Sequence, residues 1–186
     1  MLASGGIDSS ALIDFYLRRK ASVLCVHFQY GQASDKSERA SMERICGHYE
    51  VDYKVLDLDF PMAKRREELV FRNLLFILAA CSLKEPPMRV ALGIHAGTSY
   101  YGCSRLFLRD CQKILDGYFS GTAVVEAPFI EYTKADIISY SRENNVPLDL
   151  TYSCLVQNDP PCGGCSACRD RQRFINGDSC EHQKSM

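Results

Sequence analysis

The residues best suited to chemistry begin at position 4, in a segment rich in glycine and hydroxyl groups. Two adjacent glycines let backbone N–H groups approach a ligand closely, and the serine hydroxyls add further hydrogen-bonding groups. An apolar, helix-like stretch follows, so the segment is predicted to open a helix N-terminus, which attracts anions. It is not a Walker A motif, and the alternative is an ordinary turn between a strand and a helix. The expected phosphate-binding residues are Ser4, Gly5, Gly6, Asp8, Ser9 and Ser10.

Four cysteines near the C-terminus form the second group with clear chemistry: Cys154, Cys162, Cys165 and Cys168. Their spacing, with glycine and proline between them, suits thiolates that surround one tetrahedral Zn²⁺ ion in a closed structural site. The same spacing also occurs around iron–sulfur clusters, so that alternative stays open. The sequence therefore predicts a metal-binding knuckle, with zinc favoured.

Isolated polar residues supply the remaining candidates. Arg72 and Asn73 interrupt an apolar run, and burying an unpaired guanidinium is expensive, so Arg72 is expected to face a phosphate, a carboxylate or a dimer partner. Lys134 lies at a predicted helix start, where it is either solvated or directed at an anion. His95 and Cys103 follow a predicted strand, where substrates bind; Cys103 is interpreted as a contact residue and less readily as a nucleophile.

Most other polar or sulfur-bearing side chains in apolar stretches have a structural interpretation. His27 lies inside a predicted strand and is expected to be a core histidine with both ring nitrogens paired. Cys25, Cys46, Cys81 and Cys111 fall on apolar faces and are interpreted as small buried hydrophobes.

Strands that alternate with helices must position these residues. Apolar runs predict strands over 22–28, 53–58, 90–94 and 123–127, after a short first strand at 1–3. Helices are predicted over 9–19, 35–49, 67–83, 106–117 and 133–144, and the third is apolar almost all round. The alternation predicts an α/β fold with a doubly wound, parallel, five-stranded sheet, whose ligands bind at the carboxyl ends of the strands. The domains are predicted as 1–150, the α/β unit, and 151–186, the knuckle.

Composition narrows the class of protein. The chain has 186 residues, 46% hydrophobic and 24% charged, as in an ordinary globular protein with a substantial core. A formal net charge of −1 implies no bulk attraction to nucleic acid, and no apolar run is long enough for a membrane span. The ten cysteines occur without a visible secretory signal, which favours metal ligands and buried thiols over disulfides. The expectation is a soluble, cytoplasmic enzyme.

With these pieces placed, the chain resembles the 7-cyano-7-deazaguanine synthase (QueC) family of the ATP-pyrophosphatase, or PP-loop, superfamily. The resemblance rests on the Ser4–Ser10 segment, on Tyr30-Gly31-Gln32, on Arg72-Asn73 and on the cysteine signature. It implies an adenine nucleotide alpha hydrolase-like fold, structural Zn²⁺, Mg²⁺ and ATP, and a homodimer. The implied reaction adenylates 7-carboxy-7-deazaguanine and adds ammonia to give the nitrile.

The resemblance also implies roles for particular residues. Catalytic roles fall to Asp8, Ser9, Arg72 and Lys134. Contacts with the deazapurine substrate fall to Tyr30, Gln32, Arg72, Asn73, His95, Tyr101 and Cys103.

Three departures keep other functions open. The loop 98–103, Thr-Ser-Tyr-Tyr-Gly-Cys, lacks the aspartates of the family's substrate loop; Gln29 replaces an aspartate; and the segment 59–70 is shorter than in the family. One alternative is a diverged ligase that joins the activated deazapurine to another amine, including one on a protein, as an amide. The others are a tRNA thiolase and, least favoured, a non-catalytic zinc-knuckle module.

Overall fold

A computed structural model describes residues 1–58, 62, 64–65, 68–83 and 85–175. Much of the shortened segment 59–70 therefore lies outside the described residues. Six helices are present in the described part: α1 (Ile7–Leu17), α2 (Asp35–Tyr49), α3 (Arg72–Cys81), α4 (Arg105–Phe119), α5 (Lys134–Glu143) and α6 (Ser166–Ile175). None of these helices is long and apolar enough to cross a membrane.

The described strands are short and mostly parallel: β1 (Leu24–Gln29), β2 (Asp52–Asp57), β3 (Lys64–Arg65), β4 (Glu68–Leu69), β5 (Met88–Ala91) and β6 (Ala123–Glu126). β1 pairs with β2 and β5 pairs with β6, both in parallel, while β3 and β4 form a small antiparallel pair. The α/β fold with parallel strands is thereby confirmed. A single five-stranded sheet is not, since the assigned strands form three separate two-stranded pairs.

The first three residues lie between the two parallel pairs. The Leu2 amide donates to the Ala91 carbonyl on β5, and the Ala3 amide donates to the Val26 carbonyl on β1, each at 2.9 Å. The segment therefore contacts both pairs, and the carboxyl end of each neighbouring strand lies near Ser4.

Helices cover both faces of the strands. Neighbouring residues of a strand point to opposite sides, and on β1 both sets of side chains are buried against helices. On β1, Cys25 packs in a cluster with α1 and α2, whereas Val26 and Phe28 pack against Phe76 on α3. The Phe28 and Phe76 rings stack with centroids 4.1 Å apart. This two-sided burial is the arrangement expected of a doubly wound fold.

The predicted helix 67–83 is wrong in both its start and its burial. Glu68–Leu69 is a strand, and Phe71, exposed and left-handed at φ 64°, separates it from a helix that begins only at Arg72. Within α3 the buried residues are Phe76, Ile77 and Cys81, so the helix buries one face. Apolar composition suggested burial all round, but the contacts available on the sheet cover only one side.

Substitution of two neighbouring residues on α3 tests this one-sided burial. Ile77 is fully buried, whereas Leu78 is 38% exposed. Ile77→Ala should lower the free energy of unfolding by about 2–5 kcal/mol because it leaves a cavity. Leu78→Ala should cost about 1 kcal/mol or less. Chemical denaturation measures both, and equal losses would mean that the helix is buried all round.

Candidate functional site

The glycine-rich loop before α1 is held from two sides at Gly5. Its φ is +76°, and a Cβ at this position would lie 2.5 Å from the Glu38 carbonyl oxygen and 2.7 Å from the Met42 amide nitrogen. The Gly5 carbonyl accepts hydrogen bonds from the Ser41 hydroxyl at 2.7 Å and from the Tyr152 amide at 3.0 Å. A residue with a side chain would therefore both strain and displace this turn.

The N-terminus of α1 faces the loop without a side-chain cap. Gly6 is the N-cap residue, and its carbonyl accepts from the hydroxyls of Ser9 at 3.0 Å and Ser10 at 2.9 Å. Backbone N–H groups in a first helical turn have no intrahelical acceptors, so an anion is their natural partner. Ser10 is fully buried and supports the loop from beneath, whereas Ser4 and Ser9 line the adjoining cavity.

A lysine and a histidine approach the loop carboxylate. Lys134 Nζ donates to Asp8 Oδ1 at 2.6 Å, and His95 Nε2 lies 3.9 Å from Asp8 Oδ2. The Thr133 capping box begins α5 and so fixes the position of Lys134. His95 Nδ1 lies 2.6 Å from the Ala96 carbonyl oxygen, which can only accept, so in the neutral ring Nδ1 carries the hydrogen. Two lone pairs, on His95 and on Asp8, then face the same gap.

A cavity of about 340 Å³ opens beside the loop. Its walls include Ser4, Asp8 and Ser9 of the loop and Arg72 and Asn73 of α3. The Arg72 guanidinium donates to the Asn73 side chain at 3.3 Å, and among the described residues no carboxylate lies within ion-pair distance of it. Arg72 is half-buried and lines the cavity, so its role in binding an anionic ligand stays a prediction.

Tyr30 and Gln32 occupy different positions. Tyr30 borders the cavity; burial raises the pKa of its hydroxyl, and the adjacent Arg72 opposes that rise. The Gln32 amide is used within the turn itself: it donates to the Phe28 carbonyl and to Glu38, and it accepts from the Tyr30 amide at 2.8 Å. In this structure Gln32 positions Tyr30, which differs from the direct substrate contact expected from the sequence.

A second cavity, of about 250 Å³, shares Arg72 and Asn73 with the first and contains Tyr101 and Cys103. The Tyr101 hydroxyl donates to Asp110 at 2.8 Å. Burial raises the pKa of the Cys103 thiol and outweighs the opposing effect of Arg72. A thiol in that state is a weak nucleophile, consistent with a contact role.

The four cysteines of the knuckle come together in space. Their sulfur atoms all lie within 4.8 Å of one another, and Cys162 Sγ and Cys168 Sγ are 4.0 Å apart. Thiolates about 2.3 Å from one tetrahedral Zn²⁺ would be about 3.8 Å apart, so the four sulfurs fit a single ion. Ligands of a multi-iron cluster bind different iron atoms and so lie farther apart.

Backbone groups also favour a thiolate at Cys154. Burial opposes ionisation, but N–H groups of Cys162, Val156 and Gln157 lower the pKa of the Cys154 thiol to about 6. The ligand that a cation requires is thus stabilised by the knuckle itself.

The knuckle contacts the phosphate loop directly. Besides the Tyr152 amide that donates to Gly5, Leu155 lines the cavity beside the loop. Asn158 accepts from the Ser37 amide at 3.0 Å and so caps the first turn of α2. Residues next to the cysteine cluster therefore pack against the loop and against α2.

Three supporting residues escaped prediction from the sequence. Ser41 and Tyr152 act through contacts with Gly5, which is distant in the chain, and nothing in their local pattern reveals this. His27 is buried as expected of a core histidine and Nδ1 is paired with Ala3, whereas Nε2 has no partner among the described residues. The sequence signal that could have drawn attention to His27 was a histidine inside an apolar strand, three residues before Tyr30.

A glycine-rich loop at the ends of parallel strands, a lysine–aspartate pair and a four-cysteine cluster define the class: a nucleotide-binding α/β protein with a site able to hold a metal ion. Comparison with known families narrows the class. The model of the family described as "Queuosine biosynthesis protein QueC" matches residues 1–70 and 65–177. The chain belongs to the QueC family.

Individual relatives match over nearly the whole chain. The 7-cyano-7-deazaguanine synthase of Campylobacter concisus is 29% identical over 95% of this chain and 91% of its own length. That of Methanospirillum hungatei is 29% identical over 91% of this chain and 90% of its own. The structure of NMN synthetase from Francisella tularensis overlaps 85% of this chain and 68% of its own, at 11% identity and a TM-score of 0.44. A likeness that small supports no conclusion.

Paired glycine substitutions test the loop. Gly5→Ala should lower the free energy of unfolding by about 2 kcal/mol or more, because it combines a positive φ with two backbone clashes. It should also abolish ATP binding measured by calorimetry. Gly47→Ala is the matched control: a Cβ there meets nothing within 4 Å, and alanine in a helix should be neutral or stabilise by up to about 1 kcal/mol. A Gly5→Ala protein that binds ATP normally would contradict this account.

Loss of one cysteine ligand tests the link between knuckle and loop. Cys162→Ala should remove bound zinc and weaken ATP binding about tenfold, because the Tyr152 amide loses its fixed position against Gly5. Metal analysis and calorimetry on the folded variant measure the two effects. Cys81→Ala, in the core away from the cluster, should change neither. Metal loss with unchanged ATP affinity would show that the two sites are independent.

Proposed function

We propose that this protein is an ATP-dependent ligase that adenylates the carboxylate of 7-carboxy-7-deazaguanine and passes it to ammonia, giving 7-cyano-7-deazaguanine. Membership of the QueC family and the synthase names of its relatives support this function. The observation that carries it is the Lys134–Asp8 pair at the phosphate loop, beside a cavity that Arg72 also lines and in which Arg72 has no carboxylate partner among the described residues.

Each group has a role in the adenylation step. The first turn of α1 and the loop hydroxyls of Ser4 and Ser9 hold the phosphates, while Arg72 binds the substrate carboxylate or the α-phosphate. Lys134 stabilises negative charge that develops as pyrophosphate leaves. Mg²⁺ bound with ATP would neutralise the charge of the pyrophosphate, and the Asp8 carboxylate is an oxygen ligand that the loop would offer it during adenylation, before ammonia enters. No protein nucleophile is required, because the catalysis lies in positioning and charge stabilisation.

The amine step fits the gap between Asp8 and His95. Two facing acceptors 3.9 Å apart can each receive one N–H hydrogen bond from the same ammonia molecule, which leaves its lone pair free to attack. Attack on the acyl adenylate forms the C–N bond and expels AMP, and His95 Nε2 can accept the proton that the nitrogen loses. A second ATP then adenylates the oxygen of the amide, and the product loses AMP and its two N–H protons to give the nitrile.

Zinc, in this proposal, is structural: the four knuckle thiolates surround it completely and leave no position for a substrate. The knuckle, 151–186, is an appendage of the α/β unit, 1–150, whose strands form one doubly wound sheet with residues 1–3 at its centre.

We place the enzyme in the cytoplasm, in keeping with a biosynthetic role.

A diverged amide-forming ligase is the second candidate. It is favoured by the second cavity, which opens next to Arg72 and Asn73 and is lined by the loop that lacks the family's aspartates. That space could accept an amine larger than ammonia. A tRNA thiolase is disfavoured, because the raised pKa of Cys103 does not suit a thiol that carries persulfide sulfur.

Two lysine variants test the proposed activity. Incubation with ATP, 7-carboxy-7-deazaguanine and ammonia should give the nitrile, detected by mass spectrometry. Lys134→Ala should lower kcat/KM about 100-fold or more because it removes a fixed charge next to the reacting phosphates. Lys113→Ala, an exposed lysine paired with Asp110 on α4, is the matched control and should retain activity.

The products separate the two candidate functions. An amide that accumulates and never dehydrates would support the diverged ligase. Absence of any product that depends on ATP would contradict both.

A further inference from the structure

His27 is a buried histidine whose second ring nitrogen has no assigned task. It lies on β1 and is 1% exposed. Nδ1 is 2.9 Å from the Ala3 carbonyl oxygen, on the residue immediately before the phosphate loop. Nε2 is fully buried and has no hydrogen-bond partner among the residues that the structure describes.

The tautomer of the neutral ring follows from this contact. A carbonyl oxygen can only accept, so Nδ1 carries the hydrogen and Nε2 presents a lone pair. A buried acceptor without a donor costs free energy, and native proteins seldom leave one unpaired. Something with an N–H or O–H group is therefore expected to reach Nε2.

The cavity indicates where that donor comes from. His27 is among the residues that line the same 340 Å³ cavity as Ser4, Asp8 and Ser9, so a ligand in that cavity lies next to this residue. Phosphate oxygens accept hydrogen bonds, so they do not suit a lone pair. The hydroxyls of the ribose and the amino group of the adenine are the N–H and O–H donors that the nucleoside part of ATP offers.

We propose that His27 Nε2 accepts a hydrogen bond from the nucleoside part of bound ATP, and that His27 is thereby a specificity-determining residue of the nucleotide site. The proposal rests on the proposed ATP-dependent function. It adds a contact on the nucleoside side to a site otherwise built from groups that bind anions.

Two substitutions of His27 test the contributions of its two ring nitrogens separately. Asparagine can reach the Nδ1 position and still donate to Ala3, but it has nothing at the Nε2 position. Glutamine reaches the Nε2 position with an acceptor but loses the contact with Ala3. Calorimetry with MgATP should show about tenfold weaker binding for His27→Asn, and binding within about threefold of wild type for His27→Gln. Thermal unfolding should show the reverse order, with His27→Gln the less stable.

Nucleotide analogues identify the donor. 2′-deoxy-ATP, 3′-deoxy-ATP and purine riboside triphosphate each lack one candidate hydrogen-bond donor. Wild type should lose about tenfold in affinity for one of them, and His27→Asn should lose nothing further with that analogue. Inorganic tripolyphosphate, which has no nucleoside, should bind both proteins equally.

Three results would overturn the inference. His27→Asn could bind ATP as well as wild type, in which case Nε2 meets only a buried water. The His27→Asn protein could instead lose affinity equally for every analogue, or it could lose affinity for tripolyphosphate. Either result would mean that the substitution disturbs the phosphate loop in general. A wild-type protein that fails to bind ATP would instead refute the proposed function, so the two failures are distinguishable.

Discussion

The carbonyl of Gly5 is the point on which the site depends. It accepts from the Ser41 hydroxyl on α2 and from the Tyr152 amide at the start of the knuckle. The Ser41 hydroxyl also lies 2.6 Å from the Leu150 carbonyl, so the same side chain links α2 to the end of the α/β unit. Three parts of the chain, far apart in sequence, are therefore fixed against one backbone atom. Only glycine fits there, because the turn requires a positive φ and the backbone of α2 lies within contact distance.

This arrangement explains why a cysteine cluster accompanies a phosphate loop. The knuckle has a small apolar core of its own, made of Tyr152, Cys154 and Cys168 with Cys165 packed against it. Four thiolates around one metal ion would supply the rigidity that so small a core lacks. A segment stiffened in this way would hold the Tyr152 amide against the Gly5 carbonyl. A role for the metal in catalysis is not needed to explain its place in the molecule.

Local patterns in the sequence were sufficient to predict much of the fold. The bounds of α2, the Thr133 cap of α5, the parallel pairs and the convergence of the cysteines were predictable, because each depends on neighbouring residues or on fixed spacing. The start of α3 was not predictable, since the left-handed Phe71 that delays it has no glycine or proline signal.

In the candidate site, too, some residues could be predicted from local sequence patterns and others could not. Lys134 and Arg72 could be nominated because a charge in an apolar or unfavourable setting is conspicuous, and Asp8 because it lies in the glycine-rich segment before α1. The roles of Gln32 and Ser41 could not be predicted. Gln32 forms hydrogen bonds within its own turn and Ser41 forms one across the fold, but in the sequence both are simply polar residues. The structure resolves them by showing which polar groups are already paired, and which, like His27 Nε2, have no hydrogen-bond partner in the described part of the chain.

The central claim is that ATP is cleaved to release pyrophosphate while the deazapurine carboxylate is adenylated. Exchange of radiolabelled pyrophosphate into ATP tests it directly, with the wild-type protein, Mg²⁺ and 7-carboxy-7-deazaguanine but no ammonia. The account predicts that label enters ATP only when the carboxylate is present. Formation of ADP and phosphate without exchange, or exchange that does not depend on the carboxylate, would contradict it.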